Sequence, residues 1–308
     1  MSKISIITPC FNEEENVQEL YERIRKVMGD FDYEYEHIFI DNASTDKTVE
    51  AIRALAHEDK HVKAILNTRN FGHVRSPYYG LLQGSGDAVV IMASDLQDPP
   101  ERIIDFIHKW EQGYKAVIGV KTKSQETGLF YLLRTFYYRF LRRLSDVDLI
   151  EHYTGFGLYD RQIVKILNDL GDPYPYFRGI IADLGFPIAR IEFEQPRRKR
   201  GISKNNFYTL YDMAMLGMTG YTKIPLRIAA MFGFITAAIS LLVGLIYLFY
   251  KLIFWQRFSL GSAPIVIGLF FLGSVQLFFL GIVGEYIGAI YTQVMKRPLV
   301  IEKERINF

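Results

Sequence analysis

The chain has 308 residues, 49% apolar and 23% charged, with a formal charge of +2. This composition excludes disorder for most of its length, and the near-neutral balance excludes bulk binding of nucleic acid. A single cysteine, Cys10, excludes a disulfide framework and a cysteine zinc site within one chain.

Ile4 to Thr8 is a short β-branched run ended by Pro9 and predicts a first strand. Asn12 follows as a candidate cap for a helix through about Met28. Tyr35 to Asp41 predicts a second strand. Thr45 or Asp46 then opens a helix that carries Val49, Ile52, Leu55 and Ala56 at helical spacing. Val62 to Leu66 and the continuously apolar Ala88 to Ala93 predict strands three and four. Pro100 begins a helix through Gln112, and Ala116 to Val120 is a fifth strand. Strands alternating with helices at this spacing predict a parallel α/β sheet with right-handed crossovers. Beyond Lys121 the pattern loosens: a helix over Phe130 to Leu144, a strand over Thr154 to Tyr159, a helix over Arg161 to Leu170 and an alternating strand over Ile188 to Glu194. Asn206 to Thr222, apolar and aromatic, reads as an interfacial amphipathic helix.

Two stretches without charge follow, 23 residues between Arg227 and Lys251 and 27 between Arg257 and Glu285. As helices they reach roughly 34 Å or more, enough for a hydrocarbon core of about 30 Å. They predict a transmembrane hairpin, with spans near 226–250 and 259–284. Positive charge sets its direction. Arg197, Arg198, Lys199, Arg200, Lys204, Lys223 and Arg227 precede the first span, and Lys296, Arg297, Lys303 and Arg305 follow the second. The link offers only Lys251 and Arg257. The positive-inside rule then puts both ends in the cytoplasm. The apolar run after Lys3 is too short for a signal peptide. The expected layout is a cytoplasmic α/β domain over 1–204, the interfacial helix over 205–223, the hairpin over 224–290 and a cytoplasmic tail over 291–308.

Ligands of parallel α/β sheets bind at the carboxyl ends of the strands. Here those ends carry Pro9-Cys10-Phe11-Asn12-Glu13, then Asp41-Asn42-Ala43-Ser44-Thr45-Asp46, then Ser94-Asp95-Leu96-Gln97-Asp98. No Gly-x-Gly-x-x-Gly follows the first strand and no Walker loop is present, which disfavours dinucleotide and ATPase readings. Carboxylates beside a diphosphate require a divalent cation between them, because bare carboxylates would repel the phosphates.

The segments IITPCFNEEENV, DNASTDKT, RNFG at Arg69 to Gly72, SDLQDPPE, RGISK at Arg200 to Lys204 and the tail GEYIGAIYTQVMKRPL together resemble the family 2 glycosyltransferases that act on polyprenyl phosphates. The two-span hairpin resembles the bacterial bactoprenol glucosyltransferase branch; dolichol-phosphate mannose synthase belongs to the same group. The resemblance implies a GT-A fold with a Rossmann-like, mostly parallel sheet, a UDP-sugar donor, undecaprenyl phosphate as acceptor, Mg2+ or Mn2+ as cofactor, and a homo-oligomer such as a tetramer in a bacterial inner membrane. It implies that Pro9, Phe11 and Glu13 line the nucleotide, with Ile40, Asp41 and Asn42 around the base. It places Ser94, Asp95 and Gln97 at the diphosphate, with Asp95 and Gln97 facing the metal. It also implies that Lys121 and Arg134 lie near the sugar or phosphates, and that Arg198, Arg200, Ser203 and Lys204 bind phosphate, with Asp95, Arg198 and Lys204 central to catalysis.

Two departures stand out. The first acid of the usual Asp-x-Asp is Ala93, and no acid follows Thr154-Gly155, where Phe156 stands. These motivate a second reading, a catalytically silent membrane protein that binds nucleotide sugar or lipid phosphate. Against it, Asp95, Gln97 and the basic residues that face phosphate survive and carry the electrostatic terms, and a phosphate monoester, with a second pKa of about 6, is mostly dianionic at neutral pH and attacks without a general base.

Overall fold

The computed structural model describes residues 2–122, 153–196, 207–254 and 262–308. The predicted helix over Phe130 to Leu144 and the basic run Arg197 to Lys204 fall outside these residues. The chain divides into two compact units, Met1–Met213 with Thr292–Phe308, and Ala214–Tyr291.

The first unit is built on an eight-stranded sheet in the order β7-β5-β6-β4-β1-β2-β3-β8. Its strands are β1 (Lys3–Cys10), β2 (Glu34–Asp41), β3 (Val62–Asn67), β4 (Ala88–Ile91), β5 (Ala116–Lys121), β6 (Tyr153–Asp160), β7 (Ile188–Phe193) and β8 (Glu302–Ile306). The β1–β2, β2–β3, β1–β4 and β5–β7 pairs are parallel, while β6 runs against both β4 and β5, and β8 runs against β3. β1 to β5 and β7 therefore share one direction, and their carboxyl ends share one edge.

Helices α1 (Val17–Gly29), α2 (Thr48–Glu58) and α4 (Arg102–Glu111) cover one face of the sheet. Their buried Leu20, Ile24, Ile52, Leu55, Ile103 and Phe106 pack with Ile4, Ile6, Phe39, Ala64, Val90 and Val117. α3 (Gly72–Gln83) covers the other face so closely that a Cβ on Gly80 would lie 2.8 Å from Ile7 and 3.0 Å from Ile40. α5 (Arg161–Leu170) and α6 (Phe177–Asp183) complete that side, where the Tyr78 hydroxyl donates to the Leu167 carbonyl at 2.9 Å. The strands are apolar on both faces because both are covered, and alternation is correspondingly absent from β1 and β4.

Three departures from the sequence reading have physical causes. Asn12 caps no helix: it takes a left-handed backbone (φ 58°), and α1 begins only at Val17. α3 was not foreseen, since Gly72 and Pro77 disguise its periodicity. The tail is no loose end. Glu302–Ile306 pairs with β3, although its alternating charges look like a solvated segment.

The second unit holds the C-terminal half of α7 (Phe207–Tyr221), with α8 (Ile224–Ile253) and all but the last turn of α9 (Ser262–Met295). Ile224–Val243 and Phe271–Met295 are long and apolar enough to cross a membrane, with mean hydropathy 2.1 and 1.5. α9 continues to Met295, well past Glu285, where a reading by charge alone ends the second span. Within this unit the Tyr286 hydroxyl donates to the Thr222 carbonyl at 2.6 Å.

Candidate active site

The parallel register places Cys10 beside Asp41 and Ile7 beside Ile91, so the polar ends of β1, β2 and β4 are neighbours. The loops after β1 and β2 are tied crosswise. Asn12 donates its backbone N–H to Ser44 Oγ at 2.9 Å and accepts the Thr45 N–H at 2.8 Å on its side chain. The Glu13 N–H donates to Thr48 Oγ1 at 2.8 Å, and Glu14 accepts the Lys47 N–H at 2.8 Å. Each of the three loops contains one non-glycine residue in the left-handed region: Asn12, Ala43 and Leu96, with φ of 58°, 62° and 60°. For alanine and leucine this conformation costs on the order of 1 kcal/mol or more, a strain that recurs at functional sites.

The carboxylates at this edge differ in their commitments. Asp41 is buried and accepts the Ser44 N–H at 3.0 Å and the Ser44 hydroxyl at 2.5 Å, yet burial dominates and raises its pKa. The buried Glu13 accepts the Asn16 amide at 2.6 Å. Asp98 is buried and accepts the Ala93 N–H at 3.0 Å. Burial, reinforced by the like charge of Asp95, lifts Asp98 to about 6 against the pull of the Ala93 N–H and Lys121. Asp95 accepts the Gln97 N–H at 3.2 Å, which folds the two side chains onto one tight turn. Ser94 is buried; the Cys10 thiol donates to the Thr8 carbonyl at 3.5 Å, and burial, with the nearby Asp41 and Glu13, pushes its pKa well up. Lys121, at the end of β5, donates to Gln195 at 2.7 Å and lies close enough to Asp98 to lower its pKa.

Ten of the sequence-predicted residues thus come together at one sheet edge: Pro9, Phe11, Glu13, Ile40, Asp41, Asn42, Ser94, Asp95, Gln97 and Lys121. Ile40 and Asn42 are among those most fully engaged by the protein itself. Ile40 is fully buried beneath Gly80. The Asn42 amide donates to Asn70 Oδ1 at 2.9 Å and to the Gly72 carbonyl at 3.2 Å, and accepts the Phe71 N–H at 2.8 Å. The segment RNFG is therefore part of the edge, a role its place after the third strand could have signalled. Arg134, Arg198, Arg200, Ser203 and Lys204 lie outside the described residues.

Among the described residues no group of three His, Cys, Asp or Glu side chains is arranged to hold a metal. The oxygen donors at the Asp95–Gln97 turn, one carboxylate and one amide, fit Mg2+ or Mn2+ only with substrate phosphates and water completing the shell, which is the usual mode for Mg2+. Phe156, standing where an acid would follow Thr154-Gly155, is buried against Phe106 and Phe193, with ring centroids 4.8 and 5.5 Å away. That position is core and offers no base.

Residues 5–167 match the model of glycosyl transferase family 2, and residues 224–290 match that of the GtrB C-terminal hairpin. The chain is 34% identical over 303 residues to the SfII prophage-derived bactoprenol glucosyl transferase of Shigella flexneri, covering 98% of each. It is 35% identical to the uncharacterized glycosyltransferase YkcC of Bacillus subtilis, covering 96% of this chain and 92% of the relative. A mycobacterial protein of known crystal structure shares the fold at a TM-score of 0.50 and 20% identity, over 71% of this chain and 73% of that one. The chain is a glycosyltransferase and belongs to glycosyl transferase family 2, with the GtrB-type hairpin at its C-terminal end.

Proposed function

We propose that this enzyme transfers a hexose, with glucose the first candidate, from a UDP-sugar to undecaprenyl phosphate at the cytoplasmic face of the membrane. The lipid-linked sugar would serve modification of a cell-envelope glycan. The observation that carries this reading is the identity of 34% along the whole chain, hairpin included, to proteins named bactoprenol glucosyl transferases. Orientation is supported by the excess of positive charge outside the inter-span link. The even number of crossings is supported by β8: a tail paired with β3 lies on the same side of the membrane as the sheet, which two crossings allow. We also propose a homo-oligomer, with four copies the number expected by resemblance.

In the proposed reaction an oxygen of the lipid phosphate attacks the anomeric carbon. The bond from that carbon to the diphosphate breaks with inversion, and UDP leaves. Asp95 and Gln97 would hold a divalent cation, which when bound supplies charge neutralisation for the departing diphosphate. The buried Asp98 fixes the turn through the Ala93 N–H, so the Asp95 and Gln97 side chains need no reorganisation during reaction. Lys121 adds positive charge beside them. Arg198, Arg200, Ser203 and Lys204 would align the lipid phosphate and Arg134 the donor phosphates. No general base is needed, in keeping with a core phenylalanine at position 156.

Purified enzyme offered radiolabelled UDP-glucose with undecaprenyl phosphate or undecaprenol separates this chemistry from transfer to a hydroxyl. The phosphate should accept sugar and the alcohol should not. Equal use of both would overturn the base-free reading, and binding of UDP-sugar without transfer to either would favour the catalytically silent alternative that Ala93 suggests.

A further inference from the structure

The segment Asn67–Arg75 is held from two sides. On its inner side the Asn42 side chain bonds to Asn70, Phe71 and Gly72, and Asn67 donates to Asn42 Oδ1 at 3.2 Å. On its outer side it meets the chain that follows the second apolar helix. Thr68 donates its N–H to the Ile301 carbonyl at 2.9 Å and its hydroxyl to the same oxygen at 3.1 Å. The Arg75 guanidinium donates to the Pro298 carbonyl, and the ring of Phe71 lies 4.1 Å from Arg69 and 5.4 Å from Arg75.

The rest of the tail is anchored along its length. Arg53 meets Glu304 through two hydrogen bonds of 2.8 and 2.5 Å. Arg305 reaches Gln83 at 2.7 Å, and Tyr79 donates to Glu302 at 2.7 Å, so both bind α3. Asn307, left-handed at φ 60°, donates to the Ala56 carbonyl at 2.6 Å and the Val62 carbonyl at 2.8 Å. A bond-by-bond path thus runs from the tail through the RNFG segment to Asn42, whose backbone N–H donates to the Cys10 carbonyl at 2.9 Å. That path ends at the polar ends of β1 and β2.

We propose that the tail Pro298–Asn307 is a positioning strap for the donor site: it grips the Asn67–Arg75 segment from outside and so holds Asn42 and the end of β2 in the shape that binds the nucleotide. It rests on the reading of this edge as a nucleotide-sugar site. The strap continues directly from α9, so the element that anchors the enzyme and the element that shapes its donor site are one stretch of chain. Exposed ion pairs contribute little to stability. The Arg53–Glu304 pair, 45% and 38% exposed, would instead serve to fix the register of the strap.

The test uses the full-length protein in detergent, with UDP binding by calorimetry, hydrogen exchange over residues 67–75, and thermal melting. The variants are a chain ending at Pro298, Thr68→Val, Arg53→Glu, and Arg53→Glu combined with Glu304→Arg. The shortened chain should bind UDP on the order of fivefold to tenfold more weakly, and exchange should rise over residues 67–75. Thr68→Val and Arg53→Glu should show smaller losses, and the paired reversal should restore binding toward wild type. Lower melting temperatures with unchanged UDP affinity would overturn the strap and leave the tail a mere edge cover. If the shortened chain does not fold, Thr68→Val and Arg53→Glu decide by the same criterion. A wild-type protein that binds no UDP refutes the donor reading instead, whatever the exchange shows.

Discussion

Asp98 and Asp95 are three residues apart and have opposite duties. Asp98 is buried on the Ala93 N–H, while Asp95 sits half-exposed at the turn that Gln97 closes. Asp95→Ala should therefore leave the fold intact and lower transfer by at least about 100-fold at saturating donor, the scale of lost Lewis-acid stabilisation. Steady-state turnover checks this, with circular dichroism as the control for folding; near-normal turnover would remove Asp95 from the site. Ala43→Gly should relax a left-handed residue and raise stability by up to about 1 kcal/mol, read as a higher melting temperature. The carboxylates were legible in the sequence because parallel strands present their carboxyl ends to ligands. Which of them lie buried was not legible, because burial is set by the packing of segments distant in the sequence, as where the Asn42 side chain meets Asn70 and Gly72.

At the scale of elements, the opposite end of the sheet is governed by charge. Glu36, buried in β2, accepts from Lys63 at 2.8 Å, Lys3 at 3.1 Å, Ser5 at 2.6 Å and the Ser85 N–H at 2.7 Å. Burial alone would raise its pKa, but these donors outweigh it and hold the carboxyl at about 2. A depressed carboxylate stabilises the fold fully above its unfolded pKa and loses that contribution as pH falls toward the folded value. Melting temperature should accordingly fall between about pH 5 and pH 2. Glu36→Gln should melt lower at pH 7 and show a flatter acid limb. The neighbouring His37, pushed down to about 3 by burial, contributes in the same direction from about pH 6.5 downward. Gly86 marks the turn before β4: a Cβ there would lie 2.5 Å from the Lys3 carbonyl and 2.7 Å from the Ser5 nitrogen. Gly86→Ala should cost about 1–3 kcal/mol, whereas Gly29→Ala, with nothing within 4 Å, should cost little; thermal melts of the pair decide. Strands β1 to β5 were readable because they are apolar runs bounded by turn residues. β8 was not, since an edge strand of alternating charge gains its identity only from β3.

The whole molecule combines a sheet whose edge gathers carboxylates with two apolar helices, and the tail returns to the sheet after the second. If the proposed orientation is right, cysteines placed at residues 258–261 in a Cys10→Ser background should be labelled from outside the cell. Cysteines at Ser2 or Phe308 should be labelled only after permeabilisation. Labelling of position 308 from outside would contradict the hairpin, and with it the pairing of β8 with β3. The hairpin could be read from charge-free length, and its proposed direction rests on the basic flanks, whereas the donor sugar cannot be read, because the residues that would grip the hexose ring carry no distinctive spacing. The most direct measurement supplies the purified enzyme with undecaprenyl phosphate, Mg2+ or Mn2+, and each of several radiolabelled UDP-sugars in turn, and counts label in the organic phase. The account predicts lipid-linked sugar from one donor, UDP-glucose first, that requires undecaprenyl phosphate and disappears on chelation of the metal. Label that stays in the aqueous phase with every donor, from an enzyme shown to bind UDP, would contradict it.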